Sequence, residues 1–186
     1  MESDELRKYS ELDLMNSTSK IFKEIIDILS ESYDLIVIDT PPAKTHASMA
    51  ALSASTHAVV VCQLHDFSTE MSVPSVMSDI EYSNSSLKSP NDQTEIIAIV
   101  PNQISKISMT NTEKRNHNKL LEEYPDYYYS NVYFTNRVSF NISIPQNIDS
   151  FDWIKDSVAK GQMAAFYKSV AQKALLDIYK ETKENQ

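Results

Sequence analysis

The chain predicts an α/β fold: a mostly parallel sheet of about four to five strands flanked by helices. Three observations carry that expectation. Short branched apolar runs at Leu35–Ile38, Ala58–Cys62 and Ile96–Val100 lack polar alternation, as strands covered on both faces do. Stretches with apolar residues three and four apart, the helical period, lie between and around these runs. Neither repeats nor low-complexity linkers interrupt the alternation, so a single domain over 1–186 with right-handed crossovers is expected.

Taken in order, residues 1–17 are charged and polar. They are expected to fray or to form a short helix around Leu6 and Tyr9, leaving 18–186 as the core. Asn16, Ser17, Thr18 and Ser19 offer N-caps for a helix carrying Ile21, Phe22, Ile25, Ile26, Ile28 and Leu29. The Leu35–Ile38 strand follows and ends in Asp39-Thr40-Pro41-Pro42, where the chain must leave the sheet. Ala43–Thr56 permits a short, closely packed helix through Met49 and Leu52. After the Ala58–Cys62 strand, Asp66–Thr69 reads as a loop. Val73, Val76, Met77 and Ile80 read as a helix with Pro74 in its first turn. Residues 83–93 are a polar loop before the Ile96–Val100 strand. Thr110 and Glu113 have capping-box spacing, and Pro125 stops the helix that they open. Val132–Phe134 reads as a short edge strand, and 136–150 as irregular around Pro145. A final helix from about Met163 aligns Tyr167, Val170, Ala171, Ala174, Leu175 and Ile178.

The net charge of -9 gives no overall attraction to nucleic acid or to anionic lipid. The lone cysteine, Cys62, excludes an internal disulfide and lies in an apolar run, where it reads as a small buried hydrophobe. The first twenty residues have no apolar core of a signal peptide, and no run has the length of a membrane span. A cytoplasmic location is expected. His46, His57, His65 and His117 lie in separate segments without ligand spacing, so no metal or catalytic histidine set is expected.

The segment Tyr33–Pro42, followed by Ala50-Ala51-Leu52 and the Ala58–Cys62 run, resembles the ParA/MinD family of deviant P-loop ATPases, ParA-type partition proteins above all. An apolar strand ending in Asp-Thr-Pro-Pro is shared by bacterial capsule tyrosine kinases of the same fold. The resemblance implies that Asp39 corresponds to the Walker B aspartate that helps to hold the magnesium of ATP, with Thr40 beside it. It further implies that Asn102, in Val100-Pro101-Asn102-Gln103, corresponds to an asparagine lying against the adenine. An asparagine in a turn explains Asn102 equally well.

One departure from the family decides the functional expectation. A phosphate-binding loop needs glycines, so that successive backbone N–H groups can close around phosphate, and this sequence has one, Gly161. The family's P-loop, first strand and first switch region have no counterpart in these residues. The resemblance therefore spans about the C-terminal two-thirds of a family member. In that fold the P-loop strand lies beside the Walker B strand. Its loss leaves Leu35–Ile38 with a row of unpaired backbone groups, each costing roughly 1–3 kcal/mol if buried. Either this run pairs directly with Ala58–Cys62, or residues 1–17 fill the gap, or another chain supplies a strand.

The expected function is accordingly a ParA-like partition or accessory protein without an independent ATP site, inactive as an ATPase alone and acting through protein partners. Those partners would be a ParA-type ATPase, a partition adaptor or a second copy. Two alternatives stand: the C-terminal portion of a split or truncated ATPase completed by a P-loop-bearing chain, and a remnant without function. Asp39, Thr40 and Asn102 would be vestigial cofactor-binding residues, with Asp39 a magnesium ligand only when nucleotide is bound. ATP and magnesium are implied by the family alone. Lys44 is the only cation close after the run, and a single lysine does not replace an amide nest. Lys168, Lys173, Lys180 and Lys183 are interspersed with Asp177, Glu181 and Glu184, so DNA binding is expected to be weak and membrane binding absent. Tyr127, Tyr128 and Tyr129 are better explained by packing than as the tail tyrosines of a capsule kinase.

Overall fold

The structure, a computed structural model, describes residues 2–89, 92–105, 109–133, 157–173 and 176. The chain forms two compact units, Met1–Ala58 with Met77–Glu95, and Val59–Val76 with Ile96–Gln186.

In the first unit, helix α1 spans Glu2–Ser30 and packs against α2, His46–Ala54. The caps foreseen at 16–19 are not used, because the helix continues upstream through them. Ser17 and Thr18 instead donate to the carbonyls of Asp13 and Leu14, both at 2.8 Å, the bond that mid-helix hydroxyls make with the preceding turn. Helix α2 opens on a capping box missed in the sequence: Thr45 Oγ1 accepts from Ser48 N at 3.1 Å, and Ser48 Oγ accepts from Thr45 N at 2.8 Å. Its small residues let Met49, Ala50 and Ala51 become almost wholly buried. The C-terminal part of helix α3 (Val73–Ser86) belongs to this unit and adds the buried Ile80. Asn84 closes the turn after it with a paired contact, donating to Thr94 O at 3.0 Å and accepting from Thr94 N at 2.7 Å. The polar loop therefore starts later than expected.

The expectation for Leu35–Ile38 is corrected. These residues belong to no strand, and among the described residues no backbone hydrogen bond reaches them. They neither pair with the next apolar run nor receive residues 2–17, which are helical. Exposure alternates along the run: Leu35 is 51% and Val37 83% exposed, while Ile36 and Ile38 are partly covered. That is the pattern of an extended segment with one side covered. The physical reason is the one that the sequence raises: with no neighbouring strand among the described residues to answer its amides and carbonyls, the run gains more from water than from burial.

In the second unit, β1 (His57–Gln63) and β2 (Glu95–Asn102), which enter it at Val59 and Ile96, form a two-stranded parallel sheet. Four to five strands are not seen among the described residues. On the other side of β2, Ile99 forms a parallel bridge to Tyr128, its N–H donating to Tyr127 O at 2.8 Å and its carbonyl accepting from Tyr129 N at 3.1 Å. The third pairing thus falls on the tyrosine run rather than on Val132–Phe134, of which 132 and 133 are outside any strand and 134 lies outside the described residues. Strand β2 is buried from Ile97 to Val100. Ala98 and Val100 pack with Val132 and Val170, flanked by Tyr129 and Phe166. Cys62 is buried on β1, and desolvation pushes its thiol up to about 12.

The expected loop at 66–69 is helical. A π-helical turn, Ser68–Ser72, precedes α3, and Val73 N donates to Ser68 O. The widened turn accommodates Pro74, which has no N–H and whose ring would clash with the carbonyl four residues back in a regular helix. Helix α4 (Asn111–Glu123) opens on the anticipated capping box, with Thr110 Oγ1 accepting from Glu113 N at 3.2 Å and Glu113 Oε2 from Thr110 N at 2.6 Å. Helix α5 (Ser157–Phe166) begins before Met163 and leads into a π-helical turn, Tyr167–Ala171. Val170 is buried, but Tyr167 is 60% exposed and lies off the apolar face assigned to it. Ala174, Leu175 and Ile178, residues 136–150, and the lysines at 180 and 183 lie outside the described residues.

Tyr128 is locked by more than its backbone. Its hydroxyl lies 2.7 Å from His117 Nδ1, with the rings edge-on. Burial raises the Tyr128 pKa and lowers that of His117, so the phenol is the donor and the imidazole is neutral. Folding thus holds His117 below its ordinary 6.5, and unfolding takes up a proton between the two values. This contribution is complete above pH 6.5 and is lost as pH falls through that window. Urea-unfolding midpoints are expected to fall more steeply on acidification from pH 7.5 to 5.5 in the native protein than in His117→Gln. Equal slopes would contradict this.

Candidate functional site

Each unit carries part of the site foreseen from sequence. In the first, Asp39 and Thr40 close the apolar run, both exposed, and among the described residues no hydrogen bond or ion pair reaches either. Beyond them, Ala43 N donates to Pro41 O at 2.8 Å and Thr45 begins α2. Lys44 is not held out for an anion: its ammonium is paired with the carboxylate of Asp79 and lies 5.7 Å from the centroid of the Tyr82 ring.

In the second unit, Asn102 ends β2 at the carboxyl edge of the parallel pair, the side at which ligands gather in open α/β sheets. Its side-chain oxygen accepts from Gln103 N at 2.8 Å, so it turns its own backbone. Gln103 has φ of 57°, the left-handed region that a residue with a Cβ rarely occupies. A polar chain runs along this edge. Ser68 N donates to His65 Nδ1 at 3.1 Å, which places the imidazole proton on Nε2. That proton goes to Gln63 Oε1 at 2.8 Å, and Gln63 donates in turn to Gln103. Beside it, Asp66 accepts from the buried Asn116 at 3.0 Å and pairs with Arg115. The Asn116 bond, then Arg115, holds the Asp66 carboxyl below its ordinary value. Sequence reasoning names His65 only among four histidines without ligand spacing and misses Gln63, Asp66, Gln103, Arg115 and Asn116 as site residues. Gln63, Asp66 and Gln103 lie at or just beyond the end of a buried strand, whereas Arg115 and Asn116, inside α4, carry no such signal.

At the neighbouring N-terminus of α4, Glu113 also accepts from Ser105 N at 2.9 Å and Ser105 Oγ at 3.0 Å. Burial raises its pKa, but these bonds and those from Thr110 outweigh it and leave the carboxyl lowered. Among the described residues, the acceptors that face one another here are thus satisfied by protein donors. Among the described residues, no three His, Cys, Asp or Glu side chains converge as a metal site.

These residues do not fit a magnesium–triphosphate. A cradle needs successive free amides and a lysine aimed at them. Gly161, the one glycine, stands inside α5 with its amide within the helical ladder. Lys44, the cation that follows Asp39 most closely in sequence, is engaged by Asp79.

The profile of a family described as an AAA domain matches residues 4–90. It supports a coarse relationship to ParA-like P-loop NTPases, which in general bind nucleotide and magnesium. The match takes in Asp39, Thr40 and Lys44 and stops before β2 and Asn102. No curated protein matches the chain. Among the described residues no helix is long and apolar enough to cross a membrane.

The left-handed turn at the sheet edge makes a specific demand on position 103. Gln103→Val is expected to lose about 1–2 kcal/mol, since a β-branched residue resists positive φ, whereas Gln103→Gly stays within about 1 kcal/mol of the native protein. Urea titration of both variants measures this, and a valine variant as stable as the glycine one would contradict the turn.

Proposed function

We propose that this chain is a ParA-like partition or accessory protein that has no ATP site of its own and works through a protein partner. One observation carries this reading. The run Leu35–Ile38, with the composition of a central strand, belongs to no strand, has Leu35 and Val37 exposed, and makes no backbone hydrogen bond among the described residues. A partner that covers such a run would present backbone groups as well as apolar side chains. The poor fit to a triphosphate agrees with a role in binding rather than turnover.

A second reading rests on Asp39. It ends the run without a hydrogen-bonded partner among the described residues, as a carboxylate awaiting a metal–phosphate supplied from elsewhere would. In this reading the chain is one part of a split ATPase, and a P-loop-bearing chain completes the site in trans.

Isothermal titration with Mg-ATP and Mg-ADP distinguishes the two. The first reading expects no binding by this chain, alone or mixed with the P-loop portion of a ParA-type ATPase beyond what that portion binds itself. The second expects binding in the mixture that is lost with Asp39→Asn. Submicromolar binding of Mg-ATP by this chain alone would overturn both.

A further inference from the structure

The apolar surface of α1 is wider than its partner. Met15, Ser19, Phe22 and Ile26, spaced four, three and four apart, are the less exposed residues and mark the side turned to α2. A second stripe, Leu14, Ile21, Ile25 and Ile28, lies about a third of a turn round the helix. These four residues are 55%, 58%, 47% and 67% exposed. A helix apolar over half its circumference is built to be covered on two sides. The stripe reaches the end of α1, and the exposed run Leu35–Ile38 begins a few residues later in the same unit. Leu29 and Tyr33, also exposed, lie between them. So many large apolar side chains over so short a span exceed the scattered exposure normal for a surface.

Charge identifies what covers them. Glu24, Asp27 and Glu31 form a stripe of three-and-four spacing beside the apolar one, and Asp34 and Asp39 bracket the extended run, all exposed. Against these acids stand Lys20 and Lys23, and Lys23 is already paired with Asp92 at 3.4 Å. A second copy would bring like charges together around its rim. An anionic lipid surface or nucleic acid would be repelled.

We propose that the outer stripe of α1 and the Leu35–Ile38 run are the docking surface for a protein segment that adds a strand to the run and carries lysine or arginine around an apolar face. The inference rests on the reading that a protein partner completes the chain, and it specifies where that partner docks and what its chemistry is. The strand answers the open amides and carbonyls of 35–38, apolar side chains cover Leu35, Val37 and the isoleucines, and the basic rim meets Glu24, Asp27, Glu31, Asp34 and Asp39.

Two synthetic peptides of one pattern provide the probe: alternating valine and lysine, and alternating valine and glutamate. Fluorescence anisotropy with the full chain is expected to show the lysine peptide binding about tenfold or more tighter at low salt. Val37→Ser and Ile25→Ser, which remove exposed apolar groups and leave the charge unchanged, are each expected to weaken it several-fold. Binding of neither peptide, equal binding of both, or lysine-peptide binding indifferent to both serine variants would overturn the proposal. Nucleotide binding in the mixture described above with no peptide binding would displace only the docking surface. Peptide binding of the expected kind with no response to any partition-type partner would instead count against the functional reading.

Discussion

A strand buried on both faces is stable only when both of its edges find hydrogen-bond partners, and that condition divides this chain. Strand β2 meets it: β1 answers one edge, and the bridge between Ile99 and the tyrosine run answers the other. Ile97 to Val100 can therefore be buried, and Val132 and Val170 close over Ala98 and Val100. The run Leu35–Ile38 is as apolar as β2 but finds no such answer among the described residues, and Leu35 and Val37 stay exposed. The difference lies not in side-chain hydrophobicity but in the backbone N–H and C=O groups of Leu35–Ile38, about eight in number, whose burial unpaired would cost on the order of the stability of a small domain.

The same constraint shapes the chemistry. Asp39 is positioned by the run that it ends, and an exposed run positions it loosely for any ligand. At the carboxyl edge of β1 and β2 the polar groups satisfy one another through His65, Gln63 and Gln103, and through Asp66 and Asn116. These contacts stabilise turns; they leave little with which to grip phosphate. A relationship to ParA-like P-loop NTPases, supported over residues 4–90, thus coexists with residues that do not make a triphosphate site.

Where local rules decide, the sequence is readable. The capping box of Thr110 and Glu113, the burial of Cys62, the short helix around Met49 and the two strands β1 and β2 follow from composition and spacing. Where the outcome depends on a neighbour, it is not. Ser17 and Thr18 look like caps until the helix upstream gives them carbonyls to bond. Tyr127–Tyr129 is β-favouring but too short to read as a strand, and pairing with β2 makes its bridge. Leu35–Ile38 has every local mark of a strand and finds no partner among the described residues. Of the site residues, Asp39, Thr40 and Asn102 come from a motif. Asp66 and Asn116 become visible only when α4 is placed, and Gln63 only when the ends of β1 and β2 are brought together.

Amide hydrogen exchange across residues 34–40, followed residue by residue in the isolated chain and again with the P-loop portion of a ParA-type ATPase, tests the central claim most directly. In the isolated chain these amides are expected to exchange at near-random-coil rates while those of Ile97–Val100 stay protected, and the partner is expected to slow the amides of 35–38 by tenfold or more. Protection of 35–38 comparable to that of β2 in the isolated chain would contradict the account.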